Sequence, residues 1–284
     1  MSGKDAPLAG AAFGKGEREA IERPAIMDPA TLRSVVARLD GKDVFRVVIA
    51  GYGEPTTHPR LDECLDILRE APVRIDMVSN GQLLDEARLA RIDGLIHTLI
   101  VSYSSIDPEV YAQVHVNLDH ARVTRNIVLA RRRLRHTGLA ISLTPLSVCL
   151  PSLPRTIEWL RDHGVTGLTM SPTLYDRAGA IDLSALGAAS VDLRRVMRAH
   201  GLRSQEFDFI PSLGDIYAQW RANRHRCIPR NSDLAIAADG TYQYCFNDIR
   251  HSHPLGHVAG MSIREALAAR EQLAYLRARS NVTA

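Results

Sequence analysis

Apolar and polar positions along this chain follow two alternating rhythms. From Asp28 to Leu39 a helical period places Leu32, Val35, Val36 and Leu39 on one face, with Asp28 as an N-cap ahead of Pro29. Phe45 to Ala50 is then a short apolar, β-branched run, which predicts a strand. The alternation continues with a helix near Asp62–Arg69, a strand Val73–Val78, a helix near Leu84–Ile92 and a strand Ile96–Tyr103. A helix through Val110–Ala112, a longer helix Ala121–Arg135, a strand Leu139–Thr144, a helix Pro154–His163, a strand Gly167–Ser171 and a helix Val191–His200 follow. Strands alternating with helices of this length predict βαβ units in a parallel sheet, where ligands gather at the carboxyl ends of the strands. Gly51–Pro55, Ser79–Gly81 and Ser102–Ser105 all fall at such ends and are expected to converge on one mouth.

The rhythm changes at residue 203. A strand Ser204–Ile210, a short helix near Asp215–Arg221 and a β-hairpin over Asp233–Phe246, turning at Asp239-Gly240, are predicted there. Residues 1–26 show no period and contain Pro7 and Pro24, which predicts a loop or tail. The division expected is therefore 1–26 as tail, 27–202 as the alternating core and 203–284 as a small carboxyl-terminal α+β domain.

Composition narrows the function classes. At 284 residues, 45% hydrophobic and 24% charged, the chain can bury one large core or a domain with an appendage. A net charge of +3 and 5% aromatic residues argue against a nucleic-acid partner. The basic run Arg131–His136 lies on a predicted helix and reads as a solvated face. No segment reaches the roughly 18 apolar residues of a membrane span, and residues 1–26 lack a signal-peptide pattern, so no membrane partner and a cytoplasmic location are expected. Four cysteines, Cys64, Cys149, Cys227 and Cys245, are too few and too scattered for a disulfide scaffold; metal ligation and plain burial both remain open.

The chemistry concentrates in Gly51-Tyr52-Gly53-Glu54-Pro55. Two glycines let a ligand approach the backbone, a carboxylate can accept from an ammonium group, and a proline stiffens the exit. Taken alone, such a stretch also fits an ordinary strand-to-helix turn, and Ser79-Asn80-Gly81 fits a strand-end turn. Together with Ser102-Tyr-Ser-Ser-Ile-Asp-Pro-Glu-Val-Tyr111, Asn126-Ile127 and Asp176-Arg177-Ala178-Gly179, however, these motifs resemble the radical S-adenosylmethionine (SAM) family in order and spacing from about Asp28 to Ala180. The resemblance implies a partial (β/α)6 barrel with a SAM pocket formed by Gly51, Gly53, Glu54, Pro55, Ser79, Asn80, Ser102 and Asn126, in which Glu54 meets the methionyl ammonium. Tyr52, His58, Tyr103 and Tyr175 are the candidates for acid–base or sulfonium contacts. Ser104 stands where the family usually has Asp.

The carboxyl-terminal C-x12-G-x4-C from Cys227 to Cys245, followed by Leu255-Gly-His-Val258 and Ser262-Ile-Arg-Glu265, resembles the opening of the family's SPASM and twitch domains. An iron–sulfur cluster or tetrahedral zinc at Cys227 and Cys245, completed by Cys149 or a histidine such as His257, is one reading; a metal-free docking element is the other.

In the register of the family's Cys-x3-Cys-x2-Cys loop stand Asp5, Ala9 and Ala12, followed by Phe13, and the first barrel strand is expected to be missing. Alanine offers no ligand atom, so no amino-terminal [4Fe–4S] cluster is expected. Three functions remain open: a non-radical SAM-dependent enzyme acting on a small molecule or peptide, a non-catalytic or peptide-binding partner of an active homologous radical SAM enzyme, and a radical enzyme with an altered or truncated amino terminus.

Overall fold

The computed structural model describes residues 26–51, 53–143, 146, 148–170, 195–196, 198–200, 217, 221, 233–246, 248 and 251–280. These fall into two compact units, one within Arg46–Leu61 and Arg74–Ile216, the other within Gly14–Phe45, Asp62–Val73 and Tyr217–Ala284. The expected strand Ser204–Ile210 and most of the helices Val191–His200 and Asp215–Arg221 lie outside the described residues.

The first unit is built on a sheet of strands β1 (Arg46–Ile49), β2 (Arg74–Ser79), β3 (Thr98–Ser102), β4 (Gly138–Leu143) and β5 (Gly167–Met170), in the order β1-β2-β3-β4-β5 and parallel throughout. Each pair is joined by a connection long enough to hold a helix, as parallel pairing demands. Helix α2 (Leu61–Leu68) lies in the first connection, α3 (Glu86–Ile92) in the second, α4 (Pro108–Val114) and α5 (His120–Arg133) in the third, and α6 (Leu153–Asp162) in the fourth. Asp85, Asp107 and Asp119 cap α3, α4 and α5, each accepting from backbone N–H groups of the first turn.

The side-chain period of two divides the sheet faces cleanly. Ile75, Met77, Leu99, Val101, Ile141, Leu143 and Leu168 are buried on one face. The alternate positions Val78, Ile100, Ser102, Ala140, Ser142 and Thr169 are half-buried and belong to the other.

The second unit holds α1 (Pro29–Val36), residues 62–68 of α2, an antiparallel sheet of β6 (Ala235–Ile236), β7 (Thr241–Gln243) and β8 (Pro254–His257), and α7 (Ile263–Ser280). The hairpin turns at Asp239-Gly240 as expected, with Gly240 at φ +92°. Its core joins Val35 of α1 to Tyr242, Leu255, Val258 and Ala266. Arg38 adds hydrogen bonds of 2.9 and 3.1 Å to the carbonyls of Val258 and Ala259. Ser262 and Glu265 form a reciprocal capping box at the start of α7: the Glu265 carboxylate accepts from the Ser262 N–H at 2.7 Å, and the Ser262 hydroxyl accepts from the Glu265 N–H at 3.2 Å. The Ser262 hydrogen bonds hold the Glu265 carboxyl below its ordinary range. Among the described residues, no helix is long and apolar enough to cross a membrane.

Candidate functional site

Glu54 is the knot of the site. After β1 the chain runs through Gly51 and Gly53 and closes a 3-10 turn over Pro55–Thr57, which Glu54 caps from an extended conformation. Its carboxylate does not stand free. Oε1 accepts from the Thr56 N–H at 3.0 Å, the Thr56 hydroxyl at 2.6 Å and the Ser79 hydroxyl at 2.9 Å. Oε2 accepts from the Asn80 N–H at 2.6 Å. The loop after β1 is thereby tied to the loop after β2, and a carboxylate with about four acceptor directions has most of them filled by protein donors.

The ties continue beyond Glu54. The Ser79 hydroxyl accepts from the Gly81 N–H at 3.0 Å, and Asn80 Oδ1 accepts from the Gln82 N–H at 2.9 Å. From α5, Asn126 Nδ2 donates to the carbonyls of Gly81 at 2.8 Å and Gln82 at 3.2 Å. Gln82 Oε1 in turn accepts from the Asp119 N–H at 3.0 Å, at the start of the same helix. Glu54, Ser79, Asn80 and Asn126, singled out as separate motifs, therefore form one hydrogen-bonded chain across three elements.

The glycines differ in what they do. Gly81 sits at φ +79°, and a Cβ there would come within 2.9 Å of Val101 and 3.1 Å of Val123. A Cβ on Gly51 or Gly53 would meet nothing within 4 Å, and neither has a positive φ. Neither packing nor backbone conformation demands glycine at those two exposed positions, and the space beside them is open.

Ser102 ends β3 in register with Ser142 of β4, which is in register with Thr169 of β5. A row of half-buried hydroxyls thus crosses the carboxyl ends of three strands. Only its first member was expected from motifs; the other two need the strand register, which no local pattern encodes.

The four candidates for acid–base work fare differently. Tyr52 and Tyr175 lie outside the described residues. His58 Nδ1 accepts from the Arg60 N–H at 3.0 Å, which leaves the ring proton on Nε2. Tyr103 is fully buried on the helix-covered side of β3. Its hydroxyl lies 2.9 Å from Thr124 Oγ1 and 3.0 Å from His120 Nε2. Because the Thr124 hydroxyl donates to the His120 carbonyl, Tyr103 donates to Thr124 and accepts from His120. Burial pushes its phenol up to about 12. This is the setting of a structural tyrosine, and Tyr103→Phe should lower unfolding free energy by about 1–2 kcal/mol while SAM affinity stays within about twofold of wild type. Parallel denaturation and SAM titration check it; a large loss of affinity at unchanged stability would return Tyr103 to the site.

Ser104, at the position expected for Asp, is fully buried and shares a 2.7 Å hydrogen bond with His115 Nε2. His115 stacks on Tyr111 at a centroid distance of 4.5 Å, and burial pulls its imidazole down to about 4, so it is neutral at neutral pH. A neutral Ser–His pair occupies ground where a carboxylate would have had to be buried.

At the carboxyl-terminal cysteines, Cys227 lies outside the described residues and Cys245 is half-exposed. Cys149 is fully buried, and that burial pushes its thiol up to about 11, away from the thiolate a metal requires. His257 Nδ1 accepts from the Ala259 N–H at 3.1 Å and Nε2 donates to the Asp239 carbonyl at 2.7 Å, so both ring nitrogens are engaged. Among the described residues, no three His, Cys, Asp or Glu side chains are grouped to hold a metal ion.

Residues 12–147 match the Radical SAM superfamily. An S-adenosylmethionine-dependent nucleotide dehydratase from Thermoplasmatales archaeon (strain ISO4-H5) is 26% identical over 117 residues, 41% of this chain and 41% of that protein, so the match spans under half of the relative. Native anSMEcpe with bound AdoMet superposes with a TM-score of 0.62 at 16% identity, over 85% of this chain and 71% of that one. Streptococcus suis SuiB bound to precursor peptide SuiA gives 0.63 at 12% identity, over 92% and 63%. At these identities the likeness to both structures is one of fold. The parallel sheet and the Gly-x-Gly-Glu-Pro loop at the end of β1 agree with that match, which covers residues 12–147.

Proposed function

We propose that this protein binds SAM at the mouth formed by the loops after β1 and β2 and uses it as a sulfonium electrophile, without reductive cleavage, on a small molecule or peptide. The observation that carries this reading is the intact chain of hydrogen bonds through Glu54, Ser79, Asn80, Gly81 and Asn126. It coexists with a sequence in which no cysteine precedes Cys64. The donor set at Asp5, Ala9 and Ala12 does not fit an iron–sulfur cluster, so no step is routed through one. A sulfonium needs no electron from outside: a nucleophile forms a bond to a carbon on sulfur, that C–S bond breaks, and the thioether leaves with the electron pair.

In this reading Gly51 and Gly53 give the ligand close access to the backbone, and Oε2 of Glu54 offers its remaining acceptor direction to the methionyl ammonium. Ser102 or Asn126 reaches the methionyl carboxylate or ribose, while Tyr52, His58 and Tyr175 supply acid–base contacts. The likeness to a nucleotide dehydratase and to a structure holding a precursor peptide supports both substrate classes. A second reading, a non-catalytic partner of an active radical SAM enzyme, draws support from how fully Glu54 is already engaged by the protein's own donors.

Isothermal titration of SAM into the purified protein, with iron, sulfide and zinc quantified on the same sample, separates the two. Micromolar binding without stoichiometric iron is the expected result. Absence of binding and of metal would overturn it in favour of the partner role.

A further inference from the structure

We infer that Glu54 and Thr56 act together as a positioning latch, which fixes the Asn80 backbone before any ligand arrives, and that Thr56 is a positioning residue of the SAM site that no motif identifies. This inference rests on the reading above for its ligand, but not for its geometry. Thr56 is 4% exposed, so its hydroxyl has no water to fall back on. That hydroxyl makes the shortest bond to Oε1, at 2.6 Å, and the N–H of the same residue makes another at 3.0 Å. With Oε1 gripped from the β1 side and also bonded to Ser79 at 2.9 Å, the carboxylate is held so that Oε2 meets the Asn80 N–H at 2.6 Å.

Beside the one acceptor direction that Oε2 leaves open, Glu54 supplies the bonds that join two loops belonging to different strands. Charge-assisted bonds are stronger and shorter than neutral ones, and the 2.6 Å bonds from the Thr56 hydroxyl and the Asn80 N–H are of that short kind. Removing the Thr56 hydroxyl should let the carboxylate rotate, loosen its hold on Asn80 and blur the mouth, without touching a ligand-facing group.

The test compares Thr56→Val, Thr56→Ser and Glu54→Gln with wild type by amide hydrogen exchange in the absence of ligand and by SAM titration. In Thr56→Val and Glu54→Gln, exchange at the Asn80 amide should rise by about tenfold, the equivalent of one lost charge-assisted bond, while amides of β3 keep wild-type protection. SAM affinity should fall by a similar factor, and Thr56→Ser should restore both. Unchanged Asn80 exchange in Thr56→Val and Glu54→Gln would overturn the latch, even if SAM affinity fell. Faster Asn80 exchange in a protein that binds no SAM would sustain the latch and sink the SAM reading alone.

Discussion

Glu54→Ala should raise the dissociation constant for SAM by at least about two orders of magnitude while the sheet of the first unit stays folded. The substitution removes every acceptor that joins the two loops: the partners of the Thr56 N–H and hydroxyl, the Ser79 hydroxyl and the Asn80 N–H all vanish together. Hydrogen bonds to a charged group contribute about 1.5–3 kcal/mol each, and a buried donor left without a partner costs about 1–3 kcal/mol. Losing the equivalent of two such bonds from the bound-state geometry already exceeds the roughly 2.7 kcal/mol of a hundredfold change. The core should tolerate the change, because Leu99, Val101, Ile141 and Leu143 are buried on the opposite face and make none of these contacts. Titration calorimetry and thermal melting on one preparation provide the check. Wild-type affinity in the variant would remove Glu54 from the site.

What could be read from sequence is the part that local chemistry determines. The five parallel strands announced themselves as short apolar runs, and Asp28 marked a helix start because its carboxylate satisfies a free N–H group of the first turn. Boundaries moved where sheet pairing decides: Phe45 was expected within the first strand, yet that strand begins at Arg46 and Phe45 is 75% exposed. Strand β8 escaped notice for a similar reason. Pro254-Leu-Gly-His257 has the composition of a turn, with Gly256 at φ +147°, and becomes a strand only by pairing with β7 through an irregular register at Tyr242/Gln243. The packing of Val35 with Tyr242 and Val258 was equally hidden, because helix α1 and the hairpin lie some two hundred residues apart.

The site shows the same division. Glu54, Ser79, Asn80 and Asn126 could be picked out as motif positions, but their mutual bonding and the place of Thr56 in it could not. A threonine after Glu-Pro carries no signal that its hydroxyl will be buried against the carboxylate two residues back. Tyr103 stood at a strand end among polar residues, where it reads as a candidate for chemistry. The strand's period of two turns it to the covered side instead, beside Thr124 and His120 of α5.

Gly81→Ala should damage the first unit, lowering unfolding free energy by about 2–4 kcal/mol. Two costs coincide. At φ +79° an L side chain crowds its own backbone, which costs about 1–2 kcal/mol. The added Cβ would also press on Val101 at 2.9 Å and Val123 at 3.1 Å. Both valines are fully buried, one on β3 and one on α5, and a β-branched side chain has few rotamers in which to retreat. The chain can relieve the clash only by moving the loop. That loop also presents the Gly81 N–H to Ser79 and the Gly81 carbonyl to Asn126, so SAM affinity should fall together with stability. Urea denaturation of Gly81→Ala, of Val101→Ala and of the double variant tells the two costs apart. If contact with Val101 is a substantial share, Gly81→Ala will cost less in the Val101→Ala background, by about 1 kcal/mol. If backbone strain alone is responsible, its cost will be the same in both. A Gly81→Ala protein within about 0.5 kcal/mol of wild type would show that neither the positive φ nor the contact with Val101 constrains this loop, and the account of the mouth as a preformed, rigid site would fail with it.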